Sequence, residues 1–313
     1  MANNLYDIIV IGAGASGMTA ALYALRNGKN VLIIEKEQIG GQIANSPRVE
    51  NFPSIKEISG LDYSDNLFAQ ITDLGAELEL DTVEEIKKDE DGFFTIHCIF
   101  ADYRAKAVII AAGVKHRHTG VEGEEDLIGH GISYCALCDG AFFAGEDIAL
   151  IGDANTALQY ALLLSNTCNS VAVFTLFGKF FAEDYLVKAL LANEKIKVYH
   201  NYEVKEFGSE NGELSYLLFN NKTTNEPFKY DTKGVFIAIG QIPDNNRFKN
   251  VVDLDKAGYI IADETCTTKT PGLFVAGDCR TKKVRQLTTA CCDGAVAATA
   301  ASTYIDTLWK YTG

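Results

Sequence analysis

The chain begins its apolar patterning with a continuous run from Tyr6 to Ile11, ended by Gly12. Ala13-Gly14-Ala15-Ser16-Gly17 comes next, then a helical pattern to Asn27, then Val31-Leu32-Ile33-Ile34 closing on Glu35. Unbroken apolar runs of this length suit strands buried on both faces of a parallel sheet, with a helix as the crossover. A helix is expected over about Leu61 to Glu77, and strands over Phe93 to Phe100 and Arg104 to Ile110, ending at Ala111-Ala112-Gly113. The pattern then repeats itself. Asp7-Ile8-Ile9-Val10-Ile11-Gly12 returns as Asp147-Ile148-Ala149-Leu150-Ile151-Gly152 at an offset of 140, which also pairs Gly17 with Ala157, Leu22 with Leu162 and Val31 with Val171. Strands are expected further on at Lys197-Val198-Tyr199, Leu214 to Phe219, Gly234 to Ile239 and Gly272 to Ala276, and a small-residue helix from about Thr288 to Asp306. The predicted class is α/β, with two Rossmann-like, three-layer nucleotide-binding domains. The first is discontinuous, 1–115 and 245–313, and the second, 116–244, is inserted into it.

Strand, glycine turn, helix, strand and acid in register form a dinucleotide-binding unit. Gly12 allows the tight turn, Gly14 lets backbone approach a pyrophosphate, and Gly17 lets the helix close on the strand. The helix N-terminus then faces phosphate, and Glu35 reaches ribose hydroxyls. A mere glycine-rich turn is the bland alternative.

Composition narrows the classes. The 313 residues are 47% apolar with mean hydropathy near zero, as in a globular protein with large cores. A net charge of −14 argues against non-specific nucleic-acid binding. No run of about 18 apolar residues suggests a membrane span. Met1-Ala2-Asn3-Asn4 lacks a basic leader region, so no signal peptide is expected and a cytoplasmic location is. The eight cysteines are not spaced as a secreted disulfide scaffold.

The chemistry gathers at Cys135-Ala136-Leu137-Cys138-Asp139-Gly140. Two cysteines so spaced close a small, readily reduced disulfide, and Asp139 adds a titratable group where a thiolate gains or loses its proton. Half of a zinc site is the rival, but no second Cys/His pair with ligand spacing follows, which favours redox over metal. Cys98, Cys168 and Cys266 read as buried structure, and Cys279 follows Gly277-Asp278. Trp309 and Tyr311 suggest a packed terminal helix or a cover over a cofactor or partner groove.

With two Rossmann units, a C-x-x-C-D-G between them, and Ala276-Gly277-Asp278 ahead of Arg285-Gln286, the chain resembles the low-molecular-weight thioredoxin reductases over essentially its whole length. The resemblance implies FAD on the discontinuous domain. Gly12, Gly14, Ala15, Ser16, Gly17, Glu35 and Lys36 would hold its ADP half. Gly41, Gln42, Asn51, Ala112 and Gly113 would lie along the cofactor. Gly277 and Asp278 would meet the ribityl–phosphate region, and Arg285, Gln286 and Leu287 the pyrimidine edge. It also implies that Cys138 faces the flavin, Cys135 attacks the partner disulfide and Asp139 handles the proton, with thioredoxin as partner and a homodimer as the usual assembly. No metal is implied.

The inserted domain departs from the family. There it binds NADPH, whereas here Gly14 corresponds to Ala154, Asp153 follows the first glycine, and Glu35 corresponds to Thr175. An NAD site wants an acid at that last position and an NADP site wants arginines just beyond it. Thr175-Leu176-Phe177-Gly178 supplies neither, and Lys179 is the only cation nearby. The expected donor is therefore a ferredoxin, as in the pyridine-nucleotide-independent ferredoxin-dependent flavin thioredoxin reductases. It would dock on Arg280, Lys282, Lys283 and Arg285, or on Lys115, His116, Arg117 and His118. The alternatives are a degenerate NADPH site, a dithiol oxidase using oxygen, and a non-enzymatic redox sensor.

Overall fold

In the computed structural model, which describes residues 5–46 and 49–308, the chain divides into two units. One comprises Met1–Lys115 and Ile242–Gly313, the other His116–Gln241. Trp309 and Tyr311 lie outside the described residues.

The first unit is built on a seven-stranded sheet. Leu5–Ile11 lies between Val31–Glu35 and Asp102–Ile110, all parallel, and the short strand Leu273–Val275 adds to the far half of Asp102–Ile110. The apolar runs are continuous because each strand buries both faces. Ile8, Val10, Ile33 and Ile109 point to the helical side, while Ile9, Ile11, Leu32 and Ile110 point to the other. Helix Ala15–Arg26 crosses over from the first strand to Val31–Glu35 and packs along helix Leu287–Leu308. Small residues permit the approach: a Cβ on Gly17 would strike the Gly12 carbonyl, and one on Gly294 would strike the Ser16 carbonyl.

The helix expected to reach Glu77 is Gly60–Asp73 instead. Gly75, at φ +90°, turns the chain, and Glu77–Leu80 becomes an edge strand beside Val31–Glu35. Val83–Lys88 was not expected as a strand either; its charges face solvent while Val83 and Ile86 point inward.

The second unit repeats the architecture with five parallel strands in the order Ile196–His200, Ser170–Thr175, Asp147–Ile151, Val235–Ile237, Ile132–Ser133. An antiparallel three-stranded sheet, Tyr202–Glu210, Glu213–Asn221 and Pro227–Asp231, shares its core. Its Phe219 stacks on Phe174 at 4.0 Å between ring centroids. The outer two of these strands escape the sequence pattern because they bury little: Val204, Phe207 and Gly208 in one, and no residue in the other. Ile132–Ser133, an edge strand two residues long, carries the chain directly into the Cys135 segment.

Candidate active site

In the first unit, the turn after Leu5–Ile11 brings the predicted residues together. Glu35 is buried at the end of its strand; the amides of Ala13 and Glu37 each donate to one of its carboxylate oxygens, at 2.7 and 2.8 Å. This locks the acid beneath the glycine turn. Gly14 caps helix Ala15–Arg26 at φ −75°, ψ 177°, a conformation open to any residue, and a Cβ there would meet only the Gly40 carbonyl, at 3.9 Å. Among the described residues nothing requires glycine at 14, so the space above it is what the residue preserves. Lys36 pairs with Asp244 at 3.0 Å. Gly41 and Gln42 open a short 3-10 turn, and Asn51 Nδ2 donates to Gln286 Oε1 at 3.2 Å, so two residues far apart in sequence meet. Leu287 begins the long helix.

The loop 277–287 is organised by a buried ion cluster that sequence reading missed. Asp293, on helix Leu287–Leu308, accepts from Arg280 Nε and Nη2 at 2.8 Å each, from Lys282 Nζ at 2.8 Å and from the Gly277 amide at 3.0 Å. Burial works to raise the Asp293 pKa, but Arg280 and Lys282 outweigh it and hold the carboxyl below its usual range. Arg285 donates to the carbonyls of Asp278, Lys282 and Arg280, and its guanidinium lies 4.1 Å from the Tyr259 ring centroid. Its hydrogen bonds clamp this loop. The loop presents Asp278, whose carboxyl burial pushes up to about 6 against the pull of Lys282 and Arg285. Cys279 is fully buried and donates to the Ala276 carbonyl; burial pushes its thiol up to about 12, which removes it from redox chemistry at neutral pH.

This cluster corrects the expectation of a basic docking patch. Arg280 is 1% exposed and the Lys282 side chain 5%, both bound to Asp293, and Arg285 is tied to carbonyls. Of the four cations, only Lys283 is exposed. The second patch is similarly reduced. Lys115 pairs with Glu37, and burial lowers His116 to about 4, keeping it neutral. Arg117 and His118 stay exposed.

In the second unit, Cys135 and Cys138 form a disulfide with Cα atoms 5.3 Å apart. Cys135 caps the single turn Ala136–Asp139, and the Cys138 amide points at Cys135 Sγ, 3.2 Å away. Asp139 is half-buried; Oδ2 accepts from the Ser133 hydroxyl at 2.6 Å, and Oδ1 is buried without a partner. Burial raises its pKa, and the Ser133 hydrogen bond only partly offsets that. A carboxyl so placed is poised to carry a proton. Tyr134 donates to buried Glu124 at 2.6 Å and stacks on His116, fixing the segment on its other side. Among the described residues no cluster of three or more His, Cys, Asp or Glu side chains could hold a metal.

The second dinucleotide turn keeps its backbone and loses its contacts. Ala154 caps helix Asn155–Leu164 at φ −108°, ψ 178°, and the Phe181 amide donates to the Asp153 carbonyl just as Gly40 donates to Ala13. Thr175, however, is fully enclosed: its hydroxyl donates to the Phe177 carbonyl at 2.6 Å and lies 2.7 Å from His200 Nδ1. Lys179 is not the only cation nearby. Lys222 sits 5.6 Å from the Phe177 ring centroid, brought there by the antiparallel sheet, while Lys179 covers Phe181.

Comparison with known proteins identifies the relatives of this arrangement. The pyridine nucleotide-disulphide oxidoreductase family model matches residues 6–294. Thioredoxin reductase of Bacillus subtilis is 37% identical over 304 residues, 97% of this chain and 96% of its own. A 34.2 kDa protein in the rubredoxin operon of Clostridium pasteurianum is 37% identical over 300 residues, covering 96% and 97%. The crystal structure of thioredoxin reductase from Streptococcus pyogenes superposes with a TM-score of 0.94 at 35% identity, covering 98% of this chain and all of that one. FAD is the cofactor of such proteins, and this chain fits it. Ser16 Oγ and Asp278 Oδ1 are buried polar atoms without protein partners beside the glycine turn, where a phosphate and a hydroxyl-bearing chain would satisfy them. The match along nearly the whole chain, the two Rossmann units and the closed C-x-x-C pair together make this chain a member of the pyridine nucleotide-disulphide oxidoreductase family, of the FAD-binding thioredoxin reductase type.

Proposed function

We propose that this protein reduces the disulfide of a thioredoxin through Cys135 and Cys138, with Asp139 moving the protons. The observation that carries the proposal is the raised, half-buried Asp139 carboxyl one residue beyond a disulfide-bonded cysteine pair. When bound, FAD supplies the two-electron reductant for that pair. Gly12, Gly14, Ala15, Ser16, Gly17 and Glu35 would hold its ADP half, and Asp278, with Gly277 behind it, its ribityl–phosphate region. Gly41, Gln42, Asn51, Ala112, Gly113, Gln286 and Leu287 would line the remainder.

With the pair reduced, the Cys135 thiolate attacks the partner disulfide, forming a mixed disulfide and releasing one partner thiolate. That thiolate takes the Asp139 proton. The carboxylate then accepts the Cys138 proton, and the new thiolate attacks Cys135 Sγ, freeing the second partner sulfur, which is protonated in turn. That second proton comes from Asp139, so the dithiol has given up two electrons and the Cys138 proton, Asp139 has given the other proton, and Cys135–Cys138 is again a disulfide. Cys135→Ser and Cys138→Ser are each expected to abolish thioredoxin reduction while retaining the flavin spectrum. Undiminished turnover in either variant would defeat the proposal.

A second reading concerns the donor. Thr175 is enclosed and already hydrogen-bonded at the position that should bind ribose, and no arginine follows it; this favours a ferredoxin-class protein over NADPH. The loop 280–285 makes a poor dock, because three of its four cations are engaged internally. Anaerobic mixing with reduced ferredoxin should bleach the flavin absorbance. Fast bleaching by NADPH, with none by ferredoxin, would overturn this reading. A homodimer and a cytoplasmic location complete the proposal; light scattering checks the first and cell fractionation the second.

A further inference from the structure

We propose that Ser133 is the positioning residue of the dithiol site, its one hydroxyl fixing both Asp139 and the backbone of Cys135. The inference rests on the assignment of Asp139 as the proton carrier. Ser133 is 5% exposed and closes the edge strand Ile132–Ser133, where its backbone is registered against Phe236. The strand pairing therefore sets where its side chain begins. A hydroxyl has one proton to donate and lone pairs to accept. Here the proton goes to Asp139 Oδ2 at 2.6 Å, and a lone pair takes the Cys135 amide at 3.1 Å.

Both ends of that link matter. Among the described residues Ser133 is the only hydrogen-bond partner of the Asp139 carboxyl, since Oδ1 has none. Without Ser133 the carboxyl would be free to rotate about its side-chain torsions in a half-buried site. The Cys135 amide would likewise lose the contact that orients the attacking residue as it enters the turn Ala136–Asp139. Proton transfer and sulfur attack both depend on placement to within a fraction of an ångström. The link also favours the carboxylate over the acid, because a donated hydrogen bond stabilises the charged form. Among the described residues, Tyr160 on helix Asn155–Leu164 also faces Asp139, and burial and Asp139 both raise its pKa. It stays neutral and adds no charge to the site.

The test uses the intact flavoprotein. The enzyme is reduced with dithionite and mixed with oxidised thioredoxin in single turnover across pH, so that the physiological donor plays no part. Iodoacetamide alkylation of the reduced dithiol across the same pH range reports the thiols without any partner. Ser133→Ala should slow exchange at saturating thioredoxin about tenfold, the equivalent of one lost hydrogen bond, with an unchanged half-saturating concentration. The limb on which the rate falls as Asp139 deprotonates should move to higher pH. Ser133→Thr keeps the hydroxyl and should restore rate and limb. Asp139→Asn is the control that separates the two assignments. If it is slowed while Ser133→Ala matches wild type in rate and pH limb, the role of Ser133 is refuted and that of Asp139 stands. A wild-type rate in Asp139→Asn overturns both.

Discussion

Asp278 shows how a cofactor site lowers the stability of the fold that carries it. Burial raises its pKa from 3.8 to about 6, and one carboxyl oxygen has no partner. Between those two values the folded protein holds a proton that the unfolded chain has released. Stability therefore falls as pH rises through the window and stays lower above it. Asp278→Asn removes that penalty. The FAD-free variant should melt above wild type at pH 7.5 and match it at pH 3.5, while binding FAD more weakly; thermal scans and fluorescence titration check the two halves. Asp293 is the opposite case, a buried carboxylate held by two cations. Asp293→Ala would leave Lys282 buried without its carboxylate and Arg280 with only the exposed Glu264, at 3.2 Å, and should cost about 3–5 kcal/mol in denaturant unfolding. Neither residue announces itself in sequence. Asp278 was legible only through the family's Ala-Gly-Asp motif, and Asp293 is an acid in a small-residue helix that could as well have faced solvent.

Between elements, the contact of helix Ala15–Arg26 with helix Leu287–Leu308 decides how closely the cofactor turn is held. The Gly17→Ala methyl would collide with the Gly12 carbonyl, and that of Gly294→Ala with the Ser16 carbonyl. Each is expected to destabilise by about 1–3 kcal/mol and to lower the flavin-to-protein ratio of the purified protein, measured by absorbance. In the second unit a buried Ala157 stands where Gly17 would, its methyl filling space that a Cβ on Gly152 would need, so that turn already accommodates the methyl. Ala157→Gly should leave FAD content unchanged. The strands and helices of the two Rossmann halves were readable because their local periods agree with their final environments. Glu77–Leu80, Val83–Lys88 and Tyr202–Glu210 were not, because exposed faces fill them with charged residues and their strand form comes from pairing with distant chain.

For the whole molecule, the net charge of −14 sets the terms of encounter with other proteins. Had the loop 280–285 been a surface patch, it would have offered local attraction to an acidic donor. With three of its cations engaged internally, the net negative charge repels an acidic partner within a Debye length of ~8–10 Å, and added salt shortens that reach. The rate of reduction by an acidic ferredoxin is accordingly expected to rise with ionic strength; stopped-flow measurements between low and moderate salt would show it, and a steep fall would point to a basic dock elsewhere. Arg117, exposed on the second unit, is the residue to exchange for glutamate in that case.

The sequence alone determined the repeated strand–turn–helix units, the glycine turn with its acid, and the Cys135–Cys138–Asp139 motif. These depend on residue spacing and backbone chemistry within short stretches, where periodicity and glycine placement act directly. Only the tertiary structure decided which charges and hydroxyls remain available. It joined Asp293 to Arg280 and Lys282, enclosed Thr175 against His200, and set Ser133 between Cys135 and Asp139. The reason is physical: the state of a polar group is fixed by its burial and its partners, and both are assembled from parts of the chain that sequence order does not place side by side.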